Sequence, residues 1–180
     1  MSGPPSSAPP PRPLLIALAG PPGTGKSALA APLARALHAA IVSVDPIEDG
    51  VLAADVPAEL AGLAAYLAAE RVAEQNLAAG IGVVVDAVND HPLARGQWVG
   101  LAARTGADLR FVELLPPPAE QHRTRLEGRG RRFRHLPEPR WSSLPERAAA
   151  LAAWDGDRLR LTADEPVDHL LARVLEVLAT

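Results

Sequence analysis

The segment GPPGTGKS, Gly20 to Ser27, follows the apolar run Leu14 to Ala19 and leads into a helical stretch that begins at Lys26. It satisfies G-x-x-x-x-G-K-[ST] at every fixed position, in the context where the pattern has a mechanical meaning: strand, tight loop, helix. The glycines allow the backbone to approach an anion, the amides of the loop and helix N-terminus point at it, and a lysine reaches its outer oxygens. Gly20, Pro21, Pro22, Gly23, Thr24, Gly25, Lys26, Ser27 and Ala28 are therefore the candidate phosphate-binding residues. Ser27 would offer its hydroxyl to magnesium. The alternative is a Gly/Pro turn that matches by chance, which the flanking strand and helix argue against.

Lys26 is the only lysine among 18 basic residues. Arginine carries nearly every other positive charge, and its planar fork does not replace a compact ammonium inside a loop wrapped around a phosphate.

The 180 residues, 48 % of them apolar, suit one domain with a sizeable core. A net charge of −3 argues against bulk electrostatic binding to nucleic acid or membrane. With no cysteine there is no disulfide, thiol nucleophile or thiolate metal site, which suits a reducing cytoplasm. Arg12 and the run after it imitate a secretory signal ending at Ala17 to Ala19, but the apolar region is too short, and cleavage there would part a strand from its loop. No stretch is long enough for a membrane span.

Residues 1–13, rich in Pro and Ser, have no apolar periodicity and are expected to be a disordered tail ahead of a single domain at 14–180. Beyond them, short apolar runs alternate with longer amphipathic ones, the pattern of a parallel sheet flanked by helices. Strands are expected at 14–19, 40–44, 82–85, 109–114 and 158–161. Helices are expected at 26–37, 59–79, 92–105, 118–127, 144–154 and 166–178, with Pro32 bending or loosening the first.

A phosphate loop specifies a nucleotide, not a reaction. A guanine signature N-K-x-D or T-K-x-D is excluded, since the only lysine lies in the loop. A ring-forming motor is disfavoured because Ala87 stands after Asp86 where a water-orienting glutamate is expected, and no room remains for a helical lid domain. Phosphoryl transfer to a hydroxyl needs a carboxylate near the acceptor, a metal site and cations over the transferring group. Asp45, after the second strand, is the candidate acceptor-orienting residue, with a turn or helix cap before Pro46 as the alternative. Asp86, ending the third strand, is the candidate magnesium-side carboxylate, or else a cap. Asn89 is expected to cap the following helix. Arg95 is either near the acceptor or solvated.

Residues 122–140 hold seven arginines. The favoured reading is an Arg-rich lid, at about residues 128–140 and hinged at Gly128 and Gly130, whose cations gather transition-state charge. An RNA-binding segment is the competitor, opposed by its single aromatic, Phe133. The five histidines show no metal-ligand spacing and are expected to be solvated or capping. Trp141 and Trp154 are expected to be packing anchors.

AGPPGTGKSALA, SVDPIEDG, the helix GLAAYLAAERVAEQNLAAG, VVVDAVNDHPLARGQW and VELLPPPAEQHRTRLEGR with PEPRW together resemble the small single-domain P-loop kinases often labelled AAA family ATPase. Their fold relatives are the gluconate, shikimate and polynucleotide 5′-hydroxyl kinases and chloramphenicol phosphotransferase. The resemblance implies a three-layer P-loop NTPase fold with a five-stranded parallel sheet, and ATP with magnesium as cofactors. It also implies Lys26 and Ser27 on phosphates and metal, Asp45 toward the acceptor, and lid arginines among Arg123, Arg125 and Arg129. It names no acceptor, because the shikimate kinase glycine cluster and the adenylate kinase lid signatures are absent. The expected activity is ATP- and Mg-dependent transfer of the γ-phosphate to a hydroxyl of a small molecule. The alternatives are a nucleotide switch without an acceptor and a polynucleotide 5′-hydroxyl kinase. Oligomeric state is not legible.

Overall fold

The computed structural model describes residues 12–130 and 133–179. The tail expected at 1–13 lies, apart from Arg12 and Pro13, outside the described residues, as do Arg131 and Arg132 of the expected lid. The described chain runs β1 (Leu14–Ala19), α1 (Lys26–Leu37), β2 (Ala40–Ser43), α2 (Val44–Ala53), α3 (Ala58–Ala78), β3 (Val83–Asp86) and α4 (Pro92–Thr105). It continues through β4 (Asp108–Leu115), α5 (Ala119–Gly128), a 3-10 turn at Trp141–Ser143, α6 (Leu144–Ala152), β5 (Leu159–Thr162) and α7 (Val167–Leu178).

The five strands form one sheet in the order β2-β3-β1-β4-β5, and all pairs are parallel. β1 is central and buried on both faces, so its run is continuously apolar and its alternate residues serve two cores. Leu15 and Ala17 face a layer that includes Trp98, Leu101 and the α3 alanines. Ile16 and Leu18 face Leu29, Leu33, Leu170 and Val174 of α1 and α7. Helix–sheet–helix is thus a three-layer sandwich.

The alanine-rich helix α3, whose apolar periodicity is shallow in sequence, has a clear inner face in space. Ala61, Ala65, Ala69, Ala73 and Leu77 recur every four residues and are buried. The small side chains let the helix backbone lie close to its neighbours. Helix α1 runs unbroken from Lys26 to Leu37 through Pro32.

One element departs from expectation. The second strand is expected to end at Val44 with Asp45 directly after it, or with a turn or helix cap there, whereas Val44–Ala53 forms the helix α2. Pro46 falls in its first turn, where a missing N–H costs nothing because that donor has no intrahelical partner. Asp45 therefore sits in the first turn of a helix.

A candidate active site at the carboxyl ends of β1 and β3

From β1 the chain leaves toward β2, whereas from β3 it crosses to β4, so the carboxyl ends of these adjacent strands form the switch point where open α/β sheets bind ligands. The glycine loop sits there. Gly20 adopts φ 134° and its amide donates to the Val88 carbonyl at 3.0 Å. A Cβ at this position would overlap the Leu114 carbonyl oxygen, so only glycine allows the loop to pass between β4 and the segment after β3. Gly23 and Gly25 also have positive φ, 85° and 89°.

The loop closes on its own lysine. Lys26 Nζ donates to the carbonyls of Gly20 at 2.7 Å and Pro21 at 3.0 Å, and the Thr24 hydroxyl donates to Pro21 at 3.0 Å. Gly25 caps α1 with no side-chain hydrogen bond, and no acid occupies the first turn. First-turn amides of a helix have no intrahelical acceptor, so this end is open to an anion.

A cavity of about 540 Å³ opens against the loop. Gly23, Gly25, Lys26, Ser27 and Ala28 form one end, and Asp86 and Asp45 stand beside them. Gly20, Pro21 and Thr24 shape the loop from behind and do not face the cavity. Tyr66, Glu48 and the Asp90–Arg147 ion pair (2.9 Å) line it as well, and Phe133, Leu136, Pro137 and Pro139 contribute apolar surface. A smaller adjoining space of about 160 Å³ reaches Ser43, whose hydroxyl lies 3.5 Å from Asp86 Oδ2.

Burial pushes the Lys26 amine down to about 8, against the opposing pull of Asp86 and Asp45 and with a further push from Arg129 and Arg147. The amine must be charged to bind polyphosphate, so affinity is expected to fall about tenfold per pH unit from pH 8 up to the pKa of the complex. Calorimetric titration of ADP between pH 7 and pH 10 checks this, and a flat profile contradicts it. Glu48 is shifted upward, by partial burial first and by Asp45 second.

Arg125 and Arg129 both reach the cavity. Arg125 Nη1 donates to the Ala163 carbonyl, beside the end of β5, and Arg129 is paired with Glu138 through Nε at 2.8 Å and through Nη2. Arg123 instead makes an exposed pair with Glu127 at 2.8 Å. The stretch from Phe133 is held to α2 by Asp49, whose carboxylate accepts from the His135 and Leu136 amides at 2.6 and 2.8 Å.

Three expectations need correction. Asn89 does not cap α4, since His91 Nδ1 accepts from Leu93 N at 3.2 Å. Asn89 is buried with φ 52°; its Nδ2 donates to Leu18 O at 2.7 Å, and its Oδ1 accepts from Trp98 Nε1 at 2.9 Å. It pins the ends of β1 and β3 together. Arg95 is neither solvated nor turned to the cavity: it is buried, donates to the Asn89 and Asp90 carbonyls and stacks on Trp154. His122 is not solvated but buried beneath the phosphate loop, with Nε2 2.7 Å from the Pro22 carbonyl.

Sequence reading does not single out Arg147, Glu48, Tyr66 or Asp49, and it reads His122 only as a solvated or capping histidine. Only the acids and Tyr66 left any signal, as polar residues interrupting helices beside the loop. Among the described residues no cluster of three or more His, Cys, Asp or Glu could hold a metal ion. No described helix is long and apolar enough to cross a membrane.

Strand order, glycine loop and inward-folded lysine define the P-loop NTPase fold. The chain belongs to the AAA domain family, whose sequence model matches residues 15–151. Among solved structures it is similar to the APS kinase CysC of Mycobacterium tuberculosis in complex with AMPPNP and APS, at 24 % identity and TM-score 0.66, covering 95 % of this chain and 100 % of that one. It is also similar to a gluconokinase from Sinorhizobium meliloti 1021, at 19 % identity and TM-score 0.60, covering 93 % and 97 %. A third is the tunicamycin resistance protein of Deinococcus radiodurans, at 13 % identity and TM-score 0.68, covering 93 % and 96 %. At these identities the likeness is one of fold. No curated protein matches the sequence.

Proposed function

We propose that this protein is a phosphotransferase that moves the γ-phosphate of ATP, with magnesium, to a hydroxyl of a small molecule. The observation that carries it is one cavity of about 540 Å³ whose lining brings Lys26 and Ser27 of the phosphate loop together with the carboxylates Asp45 and Asp86 and the arginines Arg125 and Arg129. The kinases among the structural neighbours support the same reading.

The residues fit the groups they would hold. The uncapped helix N-terminus, with its buried ammonium, suits a polyphosphate. Ser27 and Asp86, neighbours on both cavities, suit magnesium, which takes one or two protein oxygens and completes its shell with water and phosphate. Bound there, the ion would neutralise charge on the β and γ oxygens.

In the transfer step, Asp45 orients the acceptor hydroxyl and accepts its proton as the new oxygen–phosphorus bond forms. The bond from γ-phosphorus to the bridging oxygen breaks, and its electron pair leaves with ADP. Lys26, with Arg125 and Arg129 of the same cavity, stabilises the charge spread over the transferring group. The lid that excludes water is the segment at about residues 128–140, whose described residues His135 and Leu136 are held to α2 by Asp49.

The test is ³¹P NMR of ATP consumption with and without pools of sugars, nucleosides, hydroxy acids, aminoglycosides and oligonucleotides. A pool that accelerates ADP formation and yields a new phosphate ester supports the proposal. Slow hydrolysis unchanged by every pool, with nucleotide bound, favours a switch. Stimulation by oligonucleotides alone, falling steeply with salt, favours a polynucleotide kinase.

A further inference from the structure

His122 occupies a position that the transfer step does not use. It lies on α5, 100 residues from the loop it touches, and its Nε2 is 2.7 Å from the carbonyl oxygen of Pro22. A carbonyl only accepts, so Nε2 carries the hydrogen. The ring is flush with the loop: a Cβ built on Gly23 would lie 3.3 Å from its Cδ2 and Nε2. Trp141 packs edge-on against the same ring, centroids 5.3 Å apart. Trp141 directly follows the stretch whose Phe133, Leu136 and Pro139 wall the cavity.

Peptide planarity gives this contact a consequence. In a trans peptide the C=O of Pro22 and the N–H of Gly23 point in opposite directions. A histidine that holds the carbonyl toward α5 thereby turns the Gly23 amide away from α5, and Gly23 is part of the cavity wall. The carbonyls of Gly20 and Pro21 are held by Lys26, so His122 supplies the hold that Lys26 does not reach.

We propose that His122 is a positioning residue for the phosphate loop, which aims the Gly23 amide at bound polyphosphate, and that Trp141 holds its ring in place from the wall segment. The inference rests on the nucleotide-binding part of the reading above. An unsupported Pro22–Gly23 peptide can rotate, and the loop then loses one preorganised donor to the phosphate.

The test measures AMPPNP and ADP affinity by calorimetry, ATP KM and kcat, and melting temperature for His122→Phe and His122→Gln. His122→Phe keeps the ring volume and removes the donor; it is expected to weaken AMPPNP about tenfold and raise KM in step, with kcat changed less than about threefold. His122→Gln, whose amide can donate, is expected to recover most of that loss. Trp141→Leu should move affinity in the same direction by a smaller factor.

Wild-type affinity in His122→Phe, or no recovery in a folded His122→Gln, overturns the proposal. Should either variant fail to fold, ¹⁵N-histidine spectra of the unmodified protein decide. An Nε2–H tautomer that persists with AMPPNP supports the assignment, and an Nδ1–H tautomer overturns it. If the unmodified protein binds neither nucleotide, the nucleotide reading falls, and this inference with it.

Discussion

Lys26→Met is expected to lower ATP turnover by about 10³-fold or more while leaving the melting temperature close to that of the parent. Methionine keeps the aliphatic stem and deletes the charge. The lost activity follows from removing the one ammonium at the phosphate end of the cavity. The retained stability follows from two opposing effects. Burial pushes the amine from 10.5 down to about 8, so holding it charged at neutral pH costs the free fold roughly 3 kcal/mol. Its hydrogen bonds to Gly20 and Pro21 offset this at about 1–2 kcal/mol each.

The sign of the pH dependence separates this account from a purely structural lysine. Between pH 8 and 10.5 the unfolded chain binds more protons at this site than the folded one, so the Lys26 contribution makes the parent more stable as pH rises through that window. The methionine variant should lack that increment. Melting curves at pH 7 and pH 10, alongside ATP turnover, make the comparison. A variant that loses activity and also melts many degrees lower would assign Lys26 to the fold.

Asp45→Asn is expected to reduce phosphate transfer by about 10²- to 10⁴-fold, with nucleotide affinity within about threefold of the parent. Asparagine preserves shape and removes the capacity to take a proton. The carboxylate stands in the first turn of α2, where a negative charge adds about 0.3–1 kcal/mol to helix stability, so the fold should lose little. Asp45 also raises the Lys26 amine, so a small drop in affinity above neutral pH belongs to the same change. Single-turnover transfer and ADP titration on one preparation distinguish the outcomes. Equal losses in both would make Asp45 part of the scaffold that holds the loop.

The parallel sheet and the loop were legible because each rests on contiguous sequence. Alternation along β1 feeds two cores, and GPPGTGKS carries its own geometry. α2 was not legible, because Asp-Pro reads as a turn until the proline is seen in a first helical turn, where its missing donor is harmless. Asn89 was misread for a related reason. A polar residue before a helix is ordinarily a cap, whereas here its amide finds β1 and its carbonyl oxygen finds Trp98.

By itself, the sequence determined a strand, a phosphate loop and a helix in that order, and with them the place of Lys26, Ser27 and the strand-end Asp86. Those positions depend on local backbone geometry, which neighbouring residues set. Only the tertiary structure decided which charges share the cavity and which are taken up elsewhere. Arg147 meets Asp90, Arg129 meets Glu138, Asp49 holds the backbone at residues 135 and 136, and His122 reaches Pro22. Most of these pairings join elements far apart in the chain, and the partner of a charged or polar side chain is chosen by proximity in space, which no local pattern encodes.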